Sequence, residues 1–265
     1  MTQQLSDITV GFIGYGAMAQ AMAQGFVDGG VLEGGQILAC AGHYDKLVDN
    51  TSALGVRPMH NATEVAAASD IVILAVKPNL IEEVVTPILH ELANSIVVCV
   101  AWGWTFDRLE TVLEDHTPHI SIIPNTPIAV GQGVSVVEDK HNLTDYQAGL
   151  VHALLEPVSM LETVDTAHMS QAGTISSCAP AFTAMYIEAL ADAGVQYGLK
   201  RASAYRLAAK MVEGTGALQV SDGRLPAAMK DAVCSPGGAT IRGVVALEQH
   251  GFRGDVISAV QAVEG

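Results

Sequence analysis

Residues 10–19 read Val-Gly-Phe-Ile-Gly-Tyr-Gly-Ala-Met-Ala and continue a short apolar run that is typical of a buried strand. An alanine-rich segment with apolar residues at helical spacing follows. Strand, glycine turn and helix are the parts of a dinucleotide-binding fingerprint, here Gly14-x-Gly16-x-x-Ala19. Gly14 permits the tight turn, Gly16 lets the backbone approach a pyrophosphate, and Ala19 keeps the helix near the sheet. Phosphates would then lie at the positive end of the helix, whereas the alternative is a flexible surface loop.

The alternation of strand and helix continues through the first half of the chain. Further strand-type runs are 36–41, 70–76, 95–101 and 119–123, with helical stretches near 61–68, 79–92 and 105–114. Two later strands, 134–137 and 159–164, flank a helix near 144–155. This order predicts an α/β fold, a Rossmann-type parallel sheet with helices on both faces, whose ligands lie at the carboxyl ends of the strands.

The second half of the chain has only helical patterns. They cover 179–197, 201–220, 225–233, 239–249 and 255–263. We therefore expect an NAD(P)-binding domain over residues 1–165 and an all-helical dimerisation and substrate domain over residues 166–265. Residues 179–197 are apolar nearly all round, which predicts burial. Because one small domain is too small to cover them, we expect a homodimer or a multiple of dimers.

Charge, cysteine spacing and apolar runs exclude several classes of function. The chain has 265 residues, and 13 Lys and Arg against 28 Asp and Glu give a net charge of -15. This balance argues against a nucleic-acid or anionic membrane partner. The four cysteines lie far apart with no Cys-x-x-Cys pair, which favours reduced core thiols and no metal site. No apolar run is long enough to span a membrane, and the start lacks signal-peptide character, so we expect a cytoplasmic protein.

The end of the second strand bears on the choice of cofactor. NAD-preferring sites usually carry an acidic residue there to bond the ribose 2′-hydroxyl. This chain has Ala41, Gly42 and His43 instead, and Asp45 comes later. His43 and Lys46 are cations available to a 2′-phosphate, so NADPH is favoured, although NADH stays possible because no arginine is present. The alternative makes His43 an ordinary exposed loop residue.

A second glycine-containing loop lies between two helical stretches of the second half. Residues 230–241 read Lys-Asp-Ala-Val-Cys-Ser-Pro-Gly-Gly-Ala-Thr-Ile. Two glycines before a helix leave backbone N–H groups free to converge on an anion, and the hydroxyls of Ser235 and Thr240 add donors. The alternative is an ordinary helix–helix loop with a capping Ser or Thr.

Together these residues resemble the pyrroline-5-carboxylate reductase family over essentially the whole chain. The motifs that carry the resemblance are Gly14-x-Gly16-x-Met18-Ala19, Ala75-Val76-Lys77-Pro78, Pro124-Asn125-Thr126-Pro127, Ala179-Pro180-Ala181-Phe182, residues 188–195, Gly198-Leu199 and residues 235–241. The resemblance implies hydride transfer from NAD(P)H to Δ1-pyrroline-5-carboxylate, a cyclic imine acid, to give L-proline in the last step of proline biosynthesis. It also implies a helical domain that interlocks with its partner in a dimer.

The resemblance and the motifs also name site residues. The expected cofactor-binding residues are Gly14, Gly16, Ala17, Met18, His43, Asn61, Ala75, Val76, Lys77, Pro78, Ala101 and Gly103. The expected substrate-binding residues are Ser235, Gly237, Gly238, Ala239 and Thr240, whose loop holds the carboxylate through backbone N–H groups. The resemblance places the Thr240 hydroxyl on the ring nitrogen, which makes it the expected catalytic residue.

Two stretches depart from the family pattern. Ser121-Ile122-Ile123 stands where the family usually has Arg-x-Met, and Ser177-Cys178-Ala179 stands where it usually has Gly-Ser-Gly. These changes leave two other hypotheses open. One is a reductase of a related imine, such as the six-membered piperideine acid. The other is a non-catalytic dinucleotide-binding homologue, against which the intact Thr240 and glycine loop argue.

Overall fold

A computed structural model describes residues 5–265, and its centre is a sheet of eight strands. The strands are β1 (Val10–Ile13), β2 (Ile37–Cys40), β3 (Arg57–Pro58), β4 (Ile71–Leu74), β5 (Ile96–Cys99), β6 (His119–Pro124), β7 (Gly133–Glu138) and β8 (Ser159–Val164). Their order across the sheet is β3-β2-β1-β4-β5-β6-β7-β8. The first six follow the Rossmann order and are parallel, so the chain reverses its winding between β1 and β4, where this fold class binds dinucleotides.

The last two strands run against the rest, a direction that the sequence analysis did not assign. β7 pairs antiparallel with β6, whereas β8 pairs parallel with β7. The physical reason lies in the connections. A parallel neighbour needs a crossover of about a dozen residues or more, and residues 125–132 are too few for one. The connection from β7 to β8 contains a full helix and returns the chain in the same direction.

Helices cover both faces of the sheet, as predicted. Those of the first half are α1 (Ala17–Asp28), α2 (Tyr44–Ser52), α3 (Ala62–Ala67), α4 (Ile81–Val85), α5 (Leu89–Leu92), α6 (Phe106–Leu109), α7 (Asp145–Leu155) and α8 (Met169–Gly173). Alternate residues of β1 enter different cores: Phe12 packs in the cluster that contains α1 and α7 residues, and Ile13 in the cluster that contains α3 and α4 residues. The single helix expected over 79–92 is broken by a 3₁₀ turn at Thr86–Ile88, because Pro87 lacks an N–H donor.

The chain divides into two compact units, of which the first ends at Ser177 and the second is Cys178–Gly265. The second unit is all helical, with α9 (Ala179–Gln196), α10 (Arg201–Asp222), α11 (Pro226–Ala232), α12 (Ala239–Gln249) and α13 (Phe252–Glu264). The boundary at residue 165 stays a prediction, and residues 166–177 belong to the first compact unit. Within residues 5–265, no helix is long and apolar enough to cross a membrane.

Residues 179–197 are mostly exposed in the single chain, where Ala191 is the buried residue of α9, so their predicted burial depends on a partner chain as the sequence analysis expects. Helices α9 and α10 pack closely through small residues: a Cβ added to Gly194 would lie 3.4 Å from the Ala204 side chain. Large apolar side chains stay exposed on both helices, namely Met185, Tyr186, Leu190, Tyr205, Leu207, Met211, Leu218 and Val220. We call these eight residues the apolar face of α9 and α10, and clustered exposed apolar side chains mark a surface for contact with another chain.

We predict that the apolar face of α9 and α10 is covered by a second chain, giving a dimer or a multiple of dimers. Leu207 is 62% exposed in the single chain. Leu207→Glu should therefore dissociate the assembly, because an interface would bury an unpaired carboxylate. Met160→Glu, at an exposed position of β8 in the first unit, is the control and should leave the assembly intact. Light scattering at assay concentration checks both, and a monodisperse, active parent monomer would contradict the prediction.

Candidate functional site

The turn from β1 into α1 is held against the loop that follows β4. Gly14 has a φ of 92°, and a Cβ added to it would lie 2.7 Å from the carbonyl oxygen of Ala75 and 2.8 Å from the Val76 side chain. The Gly14 N–H donates to the Cys40 carbonyl at 3.0 Å, at the end of β2. Only glycine meets both the left-handed conformation and the lack of space. The turn therefore joins the carboxyl ends of three neighbouring strands.

The N-terminus of α1 is open to a ligand. Gly16 is its N-cap, with no side-chain hydrogen bond to the first turn and no acidic residue in that turn. A Cβ added to Gly16 would have no neighbour within 4 Å, so the space beside this backbone is free. The N–H groups of Ala17 and Met18 have no intrahelical acceptor by the geometry of a helix start. Free N–H groups, a positive helix end and open space suit a pyrophosphate.

The buried side chain of Tyr15 holds the glycine turn against the core, a role that the sequence analysis did not assign. Its ring is 4% exposed and packs edge-on against Phe12, with centroids 6.1 Å apart. Its carbonyl accepts a hydrogen bond from the Gln20 side-chain amide at 3.0 Å. Burial raises the pKa of the Tyr15 hydroxyl to about 12, so the ring stays neutral beneath the turn. The sequence signal for this role is the aromatic residue between the two fingerprint glycines, Gly14 and Gly16.

His43 and Asn61 lie at the starts of two helices that the structure links. His43 is the exposed N-cap of α2 and makes no side-chain capping bond. Asn61 is the N-cap of α3: its Oδ1 accepts from the Glu64 N–H at 2.9 Å, and its Nδ2 donates to the Glu64 carboxylate at 3.1 Å. The rings of Tyr44 and His60 stack with centroids 4.3 Å apart, which ties the two helix starts together. The capping bonds give Asn61 a structural role beside the predicted cofactor role.

The loops after β4 and β5 carry the remaining predicted cofactor residues. Lys77 and Pro78 are exposed at the start of a 3₁₀ turn, Ala101 is buried, and Gly103 is exposed with a φ of 74°. Trp104 joins the two loops, since its indole N–H donates to the Pro78 carbonyl at 2.8 Å. The sequence analysis gave this tryptophan no role.

One serine from each of the two departures from the family pattern, Ser121 and Ser177, lies in the first unit. Ser121 is buried, and its hydroxyl donates to the Trp104 carbonyl at 2.6 Å. The Asn125 side-chain amide donates to the Ser176 carbonyl at 2.8 Å, and the Ser177 hydroxyl donates to the Pro124 carbonyl at 3.0 Å. Serines at both positions therefore bond to backbone carbonyls within this region.

In the second unit, the predicted substrate loop is a tight turn before α12. The Gly238 N–H donates to the Ser235 carbonyl at 3.0 Å across Pro236 and Gly237, and Gly237 has a φ of 69°. Proline followed by a glycine of positive φ is the pattern of a type II turn. A Cβ on Gly238 would lie 2.5 Å from the Ser235 hydroxyl, so a side chain there would displace that hydroxyl. The Gly238 N–H thus closes the turn, and Ala239 and Thr240 begin the helix with free N–H groups.

Thr240 is exposed in the second position of α12, whose N-cap is Gly238. The helix start has no side-chain capping bond, so the alternative of Thr240 as a helix cap has no support in the geometry. Within the described residues, the structure gives the Thr240 hydroxyl no hydrogen-bond partner. It is free to bond a ligand held by the turn.

The structure thus brings the predicted cofactor residues to one edge of the first unit, at the carboxyl ends of β3, β2, β1, β4 and β5. The predicted substrate residues form one turn in the second unit. Across residues 5–265, no group of three or more His, Cys, Asp or Glu is placed to hold a metal ion. All four cysteines are free, and burial raises the pKa of the Cys99 thiol to about 12.

Comparison with known proteins agrees over both units. Residues 166–264 match the family model described as pyrroline-5-carboxylate reductase dimerisation, and residues 9–103 match one described as NADP oxidoreductase, coenzyme F420-dependent. The chain is 43% identical over 259 residues to the pyrroline-5-carboxylate reductase of Treponema pallidum (strain Nichols), covering 96% of this chain and 98% of the relative. It is 36% identical over 252 residues to the Escherichia coli (strain K12) enzyme of that name, covering 95% and 94%.

A solved structure shares the fold over nearly its whole length. The crystal structure of Plasmodium falciparum pyrroline carboxylate reductase with NADP bound superposes with a TM-score of 0.89 at 26% identity. The alignment covers 97% of this chain and 96% of that one.

The open space beside Gly16 generates a prediction that separates ligand binding from folding. Gly16 has a φ of -81° and no neighbour at its Cβ, so Gly16→Ala should leave the melting temperature unchanged. The added methyl group would occupy the space proposed for the pyrophosphate and should raise the Kd for the dinucleotide about tenfold or more, or ~1.4 kcal/mol. Gly14→Ala is the contrast and should lower the melting temperature as well, because its Cβ meets backbone. Calorimetric titration with NADPH and thermal melts check both variants, and unchanged affinity in Gly16→Ala would contradict the site.

Proposed function

Because the chain belongs to the pyrroline-5-carboxylate reductase family, we propose that it reduces Δ1-pyrroline-5-carboxylate to L-proline with NADPH. The observation that carries this proposal is likeness to named reductases over nearly the full chain, at 43% identity in one case. Two turns support it, the glycine turn before α1 and the turn at residues 235–238 before α12, which we call the serine–glycine turn. Each leaves N–H groups free at a helix start, the first for the dinucleotide pyrophosphate and the second for the substrate carboxylate. The reaction completes proline biosynthesis.

The residues at the carboxyl edge of the first unit suit a dinucleotide. Gly14 lets the turn lie against the loop at Ala75, Gly16 leaves room for the pyrophosphate, and the first N–H groups of α1 point to it. His43 and Lys46 are exposed beyond β2, and the residues that directly follow this strand, Ala41, Gly42 and His43, include no carboxylate. Ala75 to Pro78 and Ala101 to Gly103 border the same edge. NADPH, when bound, supplies the hydride.

The serine–glycine turn holds the substrate carboxylate in this proposal. The free N–H groups at the start of α12 and the Ser235 hydroxyl are the donors, and the positive helix end adds to them. The carboxylate is bound alike in the ground and transition states, so these contacts control affinity and orientation rather than the rate of the chemical step. The protein thus supplies orientation and exclusion of water to a cofactor that carries the chemistry.

Thr240 completes the proposal as the group on the ring nitrogen. Reduction adds a hydride to the carbon of the C=N bond and leaves its nitrogen protonated. A protonated imine is the better hydride acceptor, so a hydroxyl oxygen that accepts a hydrogen bond from the N–H stabilises the reactive form. Thr240 is not a strong acid, and it orients the nitrogen and relays a proton rather than setting a pKa. Its exposed hydroxyl, with a free turn beside it, supports this role.

Assembly and location follow from other features. The match to a dimerisation domain supports a homo-oligomer, and we propose a dimer or a multiple of dimers through the apolar face of α9 and α10. Four free cysteines, two of them buried, suit the reducing cytoplasm.

The direct test of the reaction mixes purified protein with NADPH and pyrroline-5-carboxylate. Rapid oxidation of NADPH supports the proposal, whereas binding without turnover, or turnover with the six-membered imine alone, would overturn it.

We predict that Thr240→Ala lowers kcat on the order of ten- to a hundredfold, since a hydrogen bond to a charged group contributes about 1.5–3 kcal/mol. The Kd for NADPH should stay nearly unchanged, and Thr240→Ser, which keeps the hydroxyl, should keep much more of the rate. Steady-state kinetics and thermal melts on both variants are the measurement. A Thr240→Ala protein that melts earlier yet turns over normally would end the catalytic assignment.

We predict that the enzyme prefers NADPH over NADH. We also predict that His43→Asp shifts this preference toward NADH. The new carboxylate would repel a 2′-phosphate and bond a ribose hydroxyl, so the ratio of kcat/KM for NADPH to that for NADH should fall at least about tenfold, or ~1.4 kcal/mol. His43 is an N-cap without a capping bond, and Asp is a favoured N-cap, so the fold should not suffer. His43→Asn is the uncharged control. A parent enzyme that prefers NADH would show that the assignment of this position is wrong.

A further inference from the structure

Both tryptophans of the chain lie in one turn, the segment after β5 that contains Trp102 and Trp104. Trp104 is 2% exposed, and its indole N–H reaches out of its own loop to the Pro78 carbonyl at 2.8 Å. Pro78 belongs to the loop after β4, which the sequence motif assigns to the cofactor. The indole is thus a direct link between two loops at the carboxyl edge of the sheet.

The backbone of Trp104 is held as firmly as its side chain. Its N–H donates to the Ala101 carbonyl at 3.2 Å, which closes the turn, and Gly103 supplies the positive φ of 74° that the turn requires. Its carbonyl accepts the hydroxyl of Ser121 at 2.6 Å, from inside β6. One residue therefore connects the loop after β4, the turn after β5 and the strand β6.

A cation completes the arrangement. The Arg108 guanidinium carbon lies 4.0 Å from the centroid of the Trp104 ring, and one guanidinium nitrogen donates to the Gly103 carbonyl at 3.2 Å. The ring is thereby stacked from one side while its N–H is bonded at the edge. These contacts fix the orientation of the indole and with it the direction of the bond to Pro78.

We propose that Trp104 is a positioning residue for the dinucleotide. It sets the distance between the Lys77–Pro78 loop and the Ala101–Gly103 turn, two segments expected to contact the cofactor. Packing alone does not require this contact, because a phenyl ring would fill most of the same space among Ile81 and Leu109 without donating to Pro78. Ser121 acts through Trp104 by holding its carbonyl. The inference rests on the proposed cofactor site.

Trp104→Phe removes the indole N–H and keeps an aromatic ring. Loss of one hydrogen bond should raise the Kd for NADPH about two- to tenfold, and the KM for the imine acid should change less than about twofold. Trp102 remains as the sole indole of this variant, so quenching of its fluorescence by NADPH reports binding at the turn directly. Ser121→Ala keeps the core packing, and its Kd for NADPH should rise in the same direction.

Ile88→Val is the matched control, because Ile88 is buried in the same apolar cluster but lies in the 3₁₀ turn before α5. It should lower the melting temperature and leave the Kd for NADPH unchanged. If Trp104→Phe and Ser121→Ala lower the melting temperature without changing that Kd, the positioning role is overturned. If Trp104→Phe does not fold, Ser121→Ala decides alone by the same criterion. A parent protein that binds no NADPH would instead overturn the proposed cofactor site itself.

Discussion

The contact between the backbone of Gly14 and the carbonyl of Ala75 is the constraint on which the first unit depends. With 2.7 Å between that oxygen and any added Cβ, the end of β1 lies directly against the end of β4. The same glycine adopts a left-handed conformation that directs the chain into α1 and leaves the helix N-terminus open at the sheet edge. Strand order, helix direction and anion site therefore meet at one residue without a side chain.

Much of the fold was predictable because fully buried strands leave continuous apolar runs. β4 and β5 are buried at every position, and each lies within its predicted run. β3 was missed because its two residues are too short to make a pattern. The direction of β7 was also missed, since apolar content is the same in either direction and only the length of the preceding connection carries that information. The need of α9 for a partner chain was predictable because its residues are apolar nearly all round and the second domain is too small to cover them.

The site shows the same division between local and long-range information. The glycine turns were readable from sequence because a tight turn needs a specific residue type at a specific position. The link from Trp104 to Pro78 spans 26 residues and depends on the register of two strands, which no local pattern records. The hydrogen bond of the Gly238 N–H within its own turn is another example. Two adjacent glycines predict a turn, but they do not show which backbone N–H groups remain available to a ligand. Thr240 was identified through a family motif, and the geometry adds that it is not the cap of its helix.

The reversed direction of β7 and β8 has a topological consequence for where the chain leaves the first unit. β8 ends beside Glu138, whose carboxylate accepts hydrogen bonds from the Phe106 N–H and the Thr166 hydroxyl, so the segment after β8 starts next to the turn that follows β5. Gly173 lets this segment pass close to that turn, because a Cβ there would lie 2.8 Å from the Trp102 ring and 2.9 Å from Ile123. The path closes on the Asn125 and Pro124 hydrogen bonds, where Thr174–Cys178 form a π-helical turn. The last residues of the first unit are thereby anchored beside the turn after β5, which contains the predicted cofactor residues Ala101 and Gly103.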